Sequence, residues 1–313
     1  LSGVALAQIT QVGVLEHDIQ NGLDKSLVRM NDNTYVLAYR GRSNDGFIAT
    51  FTISADGSSI TEVASLEHDQ VQGLENSLVR VNDNTYALAY KGPAHNGFIT
   101  TFTIPDDGSS ITEVASLEHD TVYGKKNSLV RVNDNTIALA YASDHNDGFI
   151  TTFTIPDDGS SITEVASLEH NDQQGLDNSL VRMNDNTYVL AYRGPADDGF
   201  IATFTIPDDG SSITEVASLE HDLKKGSSNS LVRVNDDTYA LAYGDIDDDG
   251  FIKTFTIPAD GSSITEVASL EHDETQGLGN SLVRVDDDTY ALAYKGLDDG
   301  GFIKTFTISA DGS

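Results

Sequence analysis

The sequence predicts an all-β protein made of one four-stranded antiparallel unit repeated six times and arranged as a ring. Three observations predict it. The first is a nearly exact repeat. Ile9, Ile60, Ile111, Ile162, Ile213 and Ile264 each open an Ile-Thr-x-Val segment, one every 51 residues, and Gly22 to Gly277 and Arg29 to Arg284 keep the same step. The second is period-two alternation of β-branched and aromatic residues, with no apolar stripe of helical spacing and length. The third is a turn signal between every pair of apolar runs.

One unit reads as four strands. Strand A is Asn76 to Val81, short and β-branched; an Asn82-Asp83-Asn84 turn follows. Strand B, Thr85 to Tyr90, sets Tyr86, Leu88 and Tyr90 on one face and Ala87 and Ala89 on the other, which suits sheets packed face to face. A loop ending at Gly97 leads to strand C, Phe98 to Ile104; Asp107-Gly108-Ser109 then turns the chain into strand D, Ile111 to Leu117. Four antiparallel strands in 51 residues describe a blade, and six blades describe a six-bladed β-propeller. The chain starts with a D-type segment, Ile9 to Leu15, and ends after an A–B–C set, Ser281 to Ile308. The expected closure therefore has the first segment as the outer strand of the last blade, leaving residues 1–8 as a lead-in and 9–313 as one domain.

On these residues the chain resembles β-propellers of the highly repetitive kind, whose blades were amplified from one ancestor. The resemblance covers residues 9–313 and rests on repeat length, strand count and overlapping ends. Without tryptophan there is no Trp-Asp signature. The C–D turn Ser54 to Ser59 is similar to the Asp-box of sialidase-like propellers but departs from it, since Asp56 and Gly57 are adjacent and no aromatic residue follows; sialidase activity is not carried over.

Charge and composition set aside several functions. Fifty acidic and 18 basic side chains give a net charge of −32, which repels phosphate backbones, so no nucleic acid is expected as partner. No apolar run of about 18 residues exists, so no membrane insertion through a helix is expected. Cysteine is absent, hence no disulfide and no thiolate metal site. The acidity suits a secreted or cell-surface protein, and Ala5-Leu6-Ala7 resembles a signal-peptidase site.

The units differ mainly in the B–C and D–A loops, which leave an up-and-down blade on the same face. That face is the expected binding face. At its axial mouth the Asn-Ser pairs that open strand A, Asn76-Ser77, Asn127-Ser128, Asn178-Ser179, Asn229-Ser230 and Asn280-Ser281, are candidate ligand contacts or strand caps. Asp245, Asp247 and Asp249, followed by Gly250, match an alternating carboxylate loop that could take Ca2+. The recurrent Glu-His-Asp (Glu67-His68-Asp69 and its copies) invites a catalytic reading, but copies at the outer strand stand roughly 20 Å or more apart, so a structural role between blades is expected. The six strand-A arginines are expected either in buried pairs with acids of an adjacent strand or blade, or as a guanidinium ring on the axis.

The expected function is a non-catalytic binding or scaffold module, monomeric, recognising a glycan or protein through the variable face. Near-symmetry favours that over the alternative, a sialidase- or lactonase-like hydrolase or lyase, because an enzyme needs one asymmetric set of convergent groups. A third reading is an engineered or recently amplified repeat with no selected ligand.

Overall fold

The structure is a computed structural model that describes residues 11–19 and 21–313. The first blade holds β1 (Leu23–Arg29), β2 (Thr34–Arg40), β3 (Gly46–Ile53) and β4 (Ile60–Asp69). The second holds β5 (Leu74–Arg80), β6 (Thr85–Lys91), β7 (Gly97–Thr103) and β8 (Thr112–Asp120). The third holds β9 (Lys125–Arg131), β10 (Thr136–Ala142), β11 (Gly148–Thr154) and β12 (Thr163–Asn171). The fourth holds β13 (Leu176–Arg182), β14 (Thr187–Arg193), β15 (Gly199–Thr205) and β16 (Thr214–Asp222). The fifth holds β17 (Ser227–Arg233), β18 (Thr238–Gly244), β19 (Gly250–Thr256) and β20 (Thr265–Asp273). The sixth has three described strands, β21 (Leu278–Arg284), β22 (Thr289–Lys295) and β23 (Gly301–Thr307). Each sheet is antiparallel in chain order, and the protein is an all-β propeller of six blades. No helix among the described residues is long and apolar enough to cross a membrane.

The alternation of strand B does the packing. Met30, Val36, Ala38 and Ile48 of the first blade meet Leu78, Tyr86, Leu88, Tyr90 and Phe102 of the second. The other face of the second blade, Val81, Ala87, Ala89 and Ile99, receives Ile137, Leu139, Tyr141 and Phe153 of the third. Small side chains on one sheet thus leave room for the large ones of the next. Hydrogen bonds lock each step. Ser26, Ser77, Ser128, Ser179 and Ser230 Oγ accept the Leu78, Leu129, Leu180, Leu231 and Leu282 amides of the following blade at 2.9–3.0 Å. Thr50, Thr101, Thr152, Thr203 and Thr254 Oγ1 donate to Gly108, Gly159, Gly210, Gly261 and Gly312 carbonyls in the next blade's C–D turn.

The expected closing strand is not seen. Residues 11–16 form no strand, no described residue pairs with the outer edge of β23, and Ile9 and Thr10 lie outside the described residues. The segment is held by the first blade instead. The His17 ring stands edge-on to Tyr39 at 4.6 Å, as His68 stands to Tyr90 at 4.7 Å. Gly13 lies so near the Gly57 carbonyl that a Cβ there would come within 2.5 Å of it.

Equivalent residues therefore differ in burial. Leu27 is 61% exposed, whereas Leu78 is 6% exposed. Leu78→Ala is expected to destabilise by about 2–5 kcal/mol. Leu27→Ala, which empties no packed space, is expected to change stability by under about 0.5 kcal/mol. Urea midpoints of the two variants check this, and equal losses would contradict the exposure of the first blade's face.

Candidate functional site: the axial mouth

The site is built by a bulge. Leu74 pairs with Lys91 and Ser77 with Ala89, so Glu75 and Asn76 stand opposite the single Tyr90, and the same irregularity recurs at the start of strand A in the other blades. The first bulge residue is left-handed each time: Asp24 (φ 48°), Glu75 (52°), Lys126 (57°), Asp177 (51°), Ser228 (56°) and Gly279 (59°). Non-glycine residues there cost of order 1 kcal/mol each, and bulges re-aim side chains beside functional sites. Here all six turn to the axis and line one cavity of about 240 Å³ with Lys25 and the neighbouring asparagines.

Near-symmetry fails at this position. The ring runs acid, acid, base, acid, hydroxyl, glycine. Asp24 Oδ2 accepts the Glu75 amide at 3.2 Å and lies 3.3 Å from Arg40 Nε. Glu75 Oε2 accepts the Lys126 amide at 2.5 Å, and its Oε1 faces Lys91 Nζ at 3.1 Å. Lys126 Nζ meets Asp177 Oδ1 at 3.0 Å, and Asp177 Oδ2 meets Arg193 Nε at 3.2 Å. Burial works against the Lys126 ammonium, but the charge and hydrogen bond of Asp177, with Glu75, outweigh it and raise its pKa. Four of the six positions thus form a charged relay, and the other two, Ser228 and Gly279, are small and neutral.

The asparagines expected at the mouth are there: Asn76, Asn127, Asn178, Asn229 and Asn280 line the cavity. Their Nδ2 groups donate to glycine carbonyls of their own loops, Asn76 to Gly73 and Asn178 to Gly175, for example. Each Oδ1 is left buried without a donor. The paired serines stand apart from the asparagines. Ser77, Ser128, Ser179 and Ser230 serve the contacts between blades described above, and Ser281 does not line the cavity. What was missed is the residue just before each asparagine. Its signal was variation itself, a position that changes charge in an otherwise constant strand opening.

The other candidates sit elsewhere. Asp245 Oδ1 accepts the amides of Asp247 and Asp249, so it caps its own loop, and no group of three or more His, Asp or Glu among the described residues could hold a metal ion. The histidines of the Glu-His segments pack against Tyr and Phe rings of the next blade, as His68 does on Tyr90 and Phe102, and Asp222 and Asp273 accept Tyr243 and Tyr294 hydroxyls at 2.9 and 2.8 Å. The arginines form neither expected arrangement. Arg80 Nε donates to Asn82 O and Arg182 Nε to Asn184 O, each folding over its own A–B turn, and the accompanying Asp83 and Asp185 are almost fully exposed. The variable loops do share one face, since Gly73 N donates to Asn44 O and Gly124 N to His95 O, joining D–A to B–C loops.

No family model matches the chain. No curated protein matches it either. Among solved structures it is similar to a periplasmic gluconolactonase of Pseudomonas aeruginosa, with TM-score 0.67 and 11% identity over 91% of this chain and 84% of that one. A 6-phosphogluconolactonase, so named provisionally, of Bacteroides fragilis gives TM-score 0.65 and 11% identity over the same shares. A protein of unknown function from Desulfotomaculum acetoxidans gives 0.67 and 12%, covering 96% of this chain and 87% of that one. At such identity the likeness is one of fold. These comparisons correct the expectation of a non-catalytic chain, because two propellers sharing the fold are named as lactonases. The physical reason is local. The symmetry that argued against an enzyme holds in the strands and fails in the six side chains that converge.

Proposed function

We propose that the chain is a propeller hydrolase that opens a small polyhydroxylated lactone or ester at its axial mouth. The observation that carries this is the unequal ring of Asp24, Glu75, Lys126, Asp177, Ser228 and Gly279 at six equivalent positions. The named lactonases that share the fold support it. So do the carboxamide oxygens at the mouth that lack a donor, since substrate hydroxyls would satisfy them. In this reading water attacks the carbonyl carbon, Glu75 takes its proton, and Lys126 faces the negative charge that gathers on the carbonyl oxygen. The carbon–oxygen bond of the ring then breaks, and the proton passes from Glu75 to the departing oxygen.

The test is glucono-lactone hydrolysis followed at constant pH against the spontaneous rate in buffer. The chain is expected to exceed that rate, and Glu75→Gln and Lys126→Met are each expected to lose about 100-fold while keeping their thermal midpoints within a few degrees. A wild-type rate equal to buffer, or variants as fast as wild type, would sink the proposal.

A further inference from the structure

The two ends of the arc carry the same surfaces that are buried at its five internal steps. Val283 and Val285 of the sixth blade are 51% and 60% exposed, while Val81, Val132 and Val234, which match Val285, are 0–2% exposed. Ile303 is 60% exposed where Ile99, Ile150 and Ile201 are fully buried, and Leu27 on the first blade is bare as described.

The five steps are alike to a few tenths of an ångström, so the blades are related by nearly one rotation. Were that rotation a sixth of a turn, a sixth step would form. The Leu27 amide would meet Ser281 Oγ, and Gly57 would sit on Thr305. Neither contact is made, and among the described residues Gly57 has Val12 and Gly13 beside it instead. A larger rotation would drive the last blade into the first, so the rotation is smaller. The arc stays close to planar, because Asp24 and Asn280 line one cavity. The next rotation that closes a planar ring is a seventh of a turn, which leaves room for one unit.

The ends are prepared for such a unit. Residue 17 touches the first blade as the outer strand of a preceding blade does: His17 repeats the contact of His68 with the next blade. Gly13 lies directly against Gly57, where Ala64, one repeat on, reaches Gly108 through Thr50 Oγ1 of an intervening strand. Among the described residues, none pairs with the outer edge of β23.

We infer that the gap between β23 and residues 11–17 is a docking surface for one further 51-residue unit of this same repeat. The unit supplies the outer strand of the sixth blade and then the A, B and C strands of a seventh, and residues 11–17 complete that blade. The established interface, made five times within the chain, is what such a unit would extend at both ends.

The test appends a copy of residues 263–313 after Ser313, making 313 + 51 = 364 residues, and compares it with the parent. The extended chain is expected to be a monomer. Its thermal midpoint should rise by at least about 5 °C. The amides of β23 should gain protection from hydrogen exchange to the level of β7. A second measurement uses the cysteine-free background, with Ala55→Cys and Asp286→Cys in the parent. These positions match Ala310 and Asn235, whose backbone and side chain touch across the fifth step. No intramolecular disulfide is expected between them. A disulfide that forms readily would mean that six blades close by themselves. A head-to-tail dimer of the parent would assign the surface to a second copy. An extended chain whose added strands stay unprotected would show that one unit does not fit. Each of these results overturns the inference.

Discussion

Taking the chain from pH 7 to pH 4 is expected to unfold it cooperatively, and the cause lies in the histidines between the blades. His68, His119, His170 and His221 are buried against Tyr and Phe rings, with both ring nitrogens lacking a hydrogen-bond partner. Burial pushes the first three down to about 4 and His221 to about 3, the last helped by the Lys253 charge; Asp69, Asp120 and Asp222 pull the other way and lose. A ring whose folded pKa lies below its unfolded value of about 6.5 refuses a proton that the unfolded chain accepts. Stability is then complete above pH 6.5 and falls as the pH drops towards 4. Each ring lost to protonation costs about 3 kcal/mol at pH 4. Four such rings, about 12 kcal/mol together, are comparable with the whole stability of an ordinary domain, about 5–15 kcal/mol. The carboxylates of the C–D turns, such as Asp107 and Asp158 held down by serine hydrogen bonds, act in the same direction but below that window. Urea midpoints at half-unit steps from pH 7 to 4 check this, with His119→Phe expected to flatten the slope. A midpoint independent of pH across that range would refute it.

Gly124→Ala is the single substitution expected to do most harm. The D–A glycine passes over the glycine that opens strand C, and a Cβ on Gly124 would lie 2.1 Å from Gly97 Cα and 2.7 Å from Gly97 N. Both obstacles are backbone, so the loops must part, breaking the Gly124 N to His95 O bond and unseating His119. The expected loss is about 3 kcal/mol or more. Gly301→Ala is the matched control. It occupies the position of Gly97 in the last blade, where a Cβ meets nothing within 4 Å, and its expected effect is under about 0.5 kcal/mol. Thermal or urea unfolding of the pair gives the answer. Comparable losses would mean that the sixth blade is completed by an outer strand after all.

The same two glycines show where sequence reasoning reaches and where it stops. Their 51-residue step, the strand alternation and the turn tripeptides are local signals, and local signals are enough to define a four-stranded blade and to count six of them. Tyr86 against Ala87 already told which faces would interlock. Asn76 and its copies line the mouth because strand A is innermost. Three things were decided only once strands and blades had paired and packed. The serines bond across steps because neighbouring A strands come close. Glu75 and Lys126 reach the axis because a bulge turns them there. The rotation per blade is set by how whole side-chain layers mesh. How the last blade meets the first depends on that meshing, which no single repeat displays.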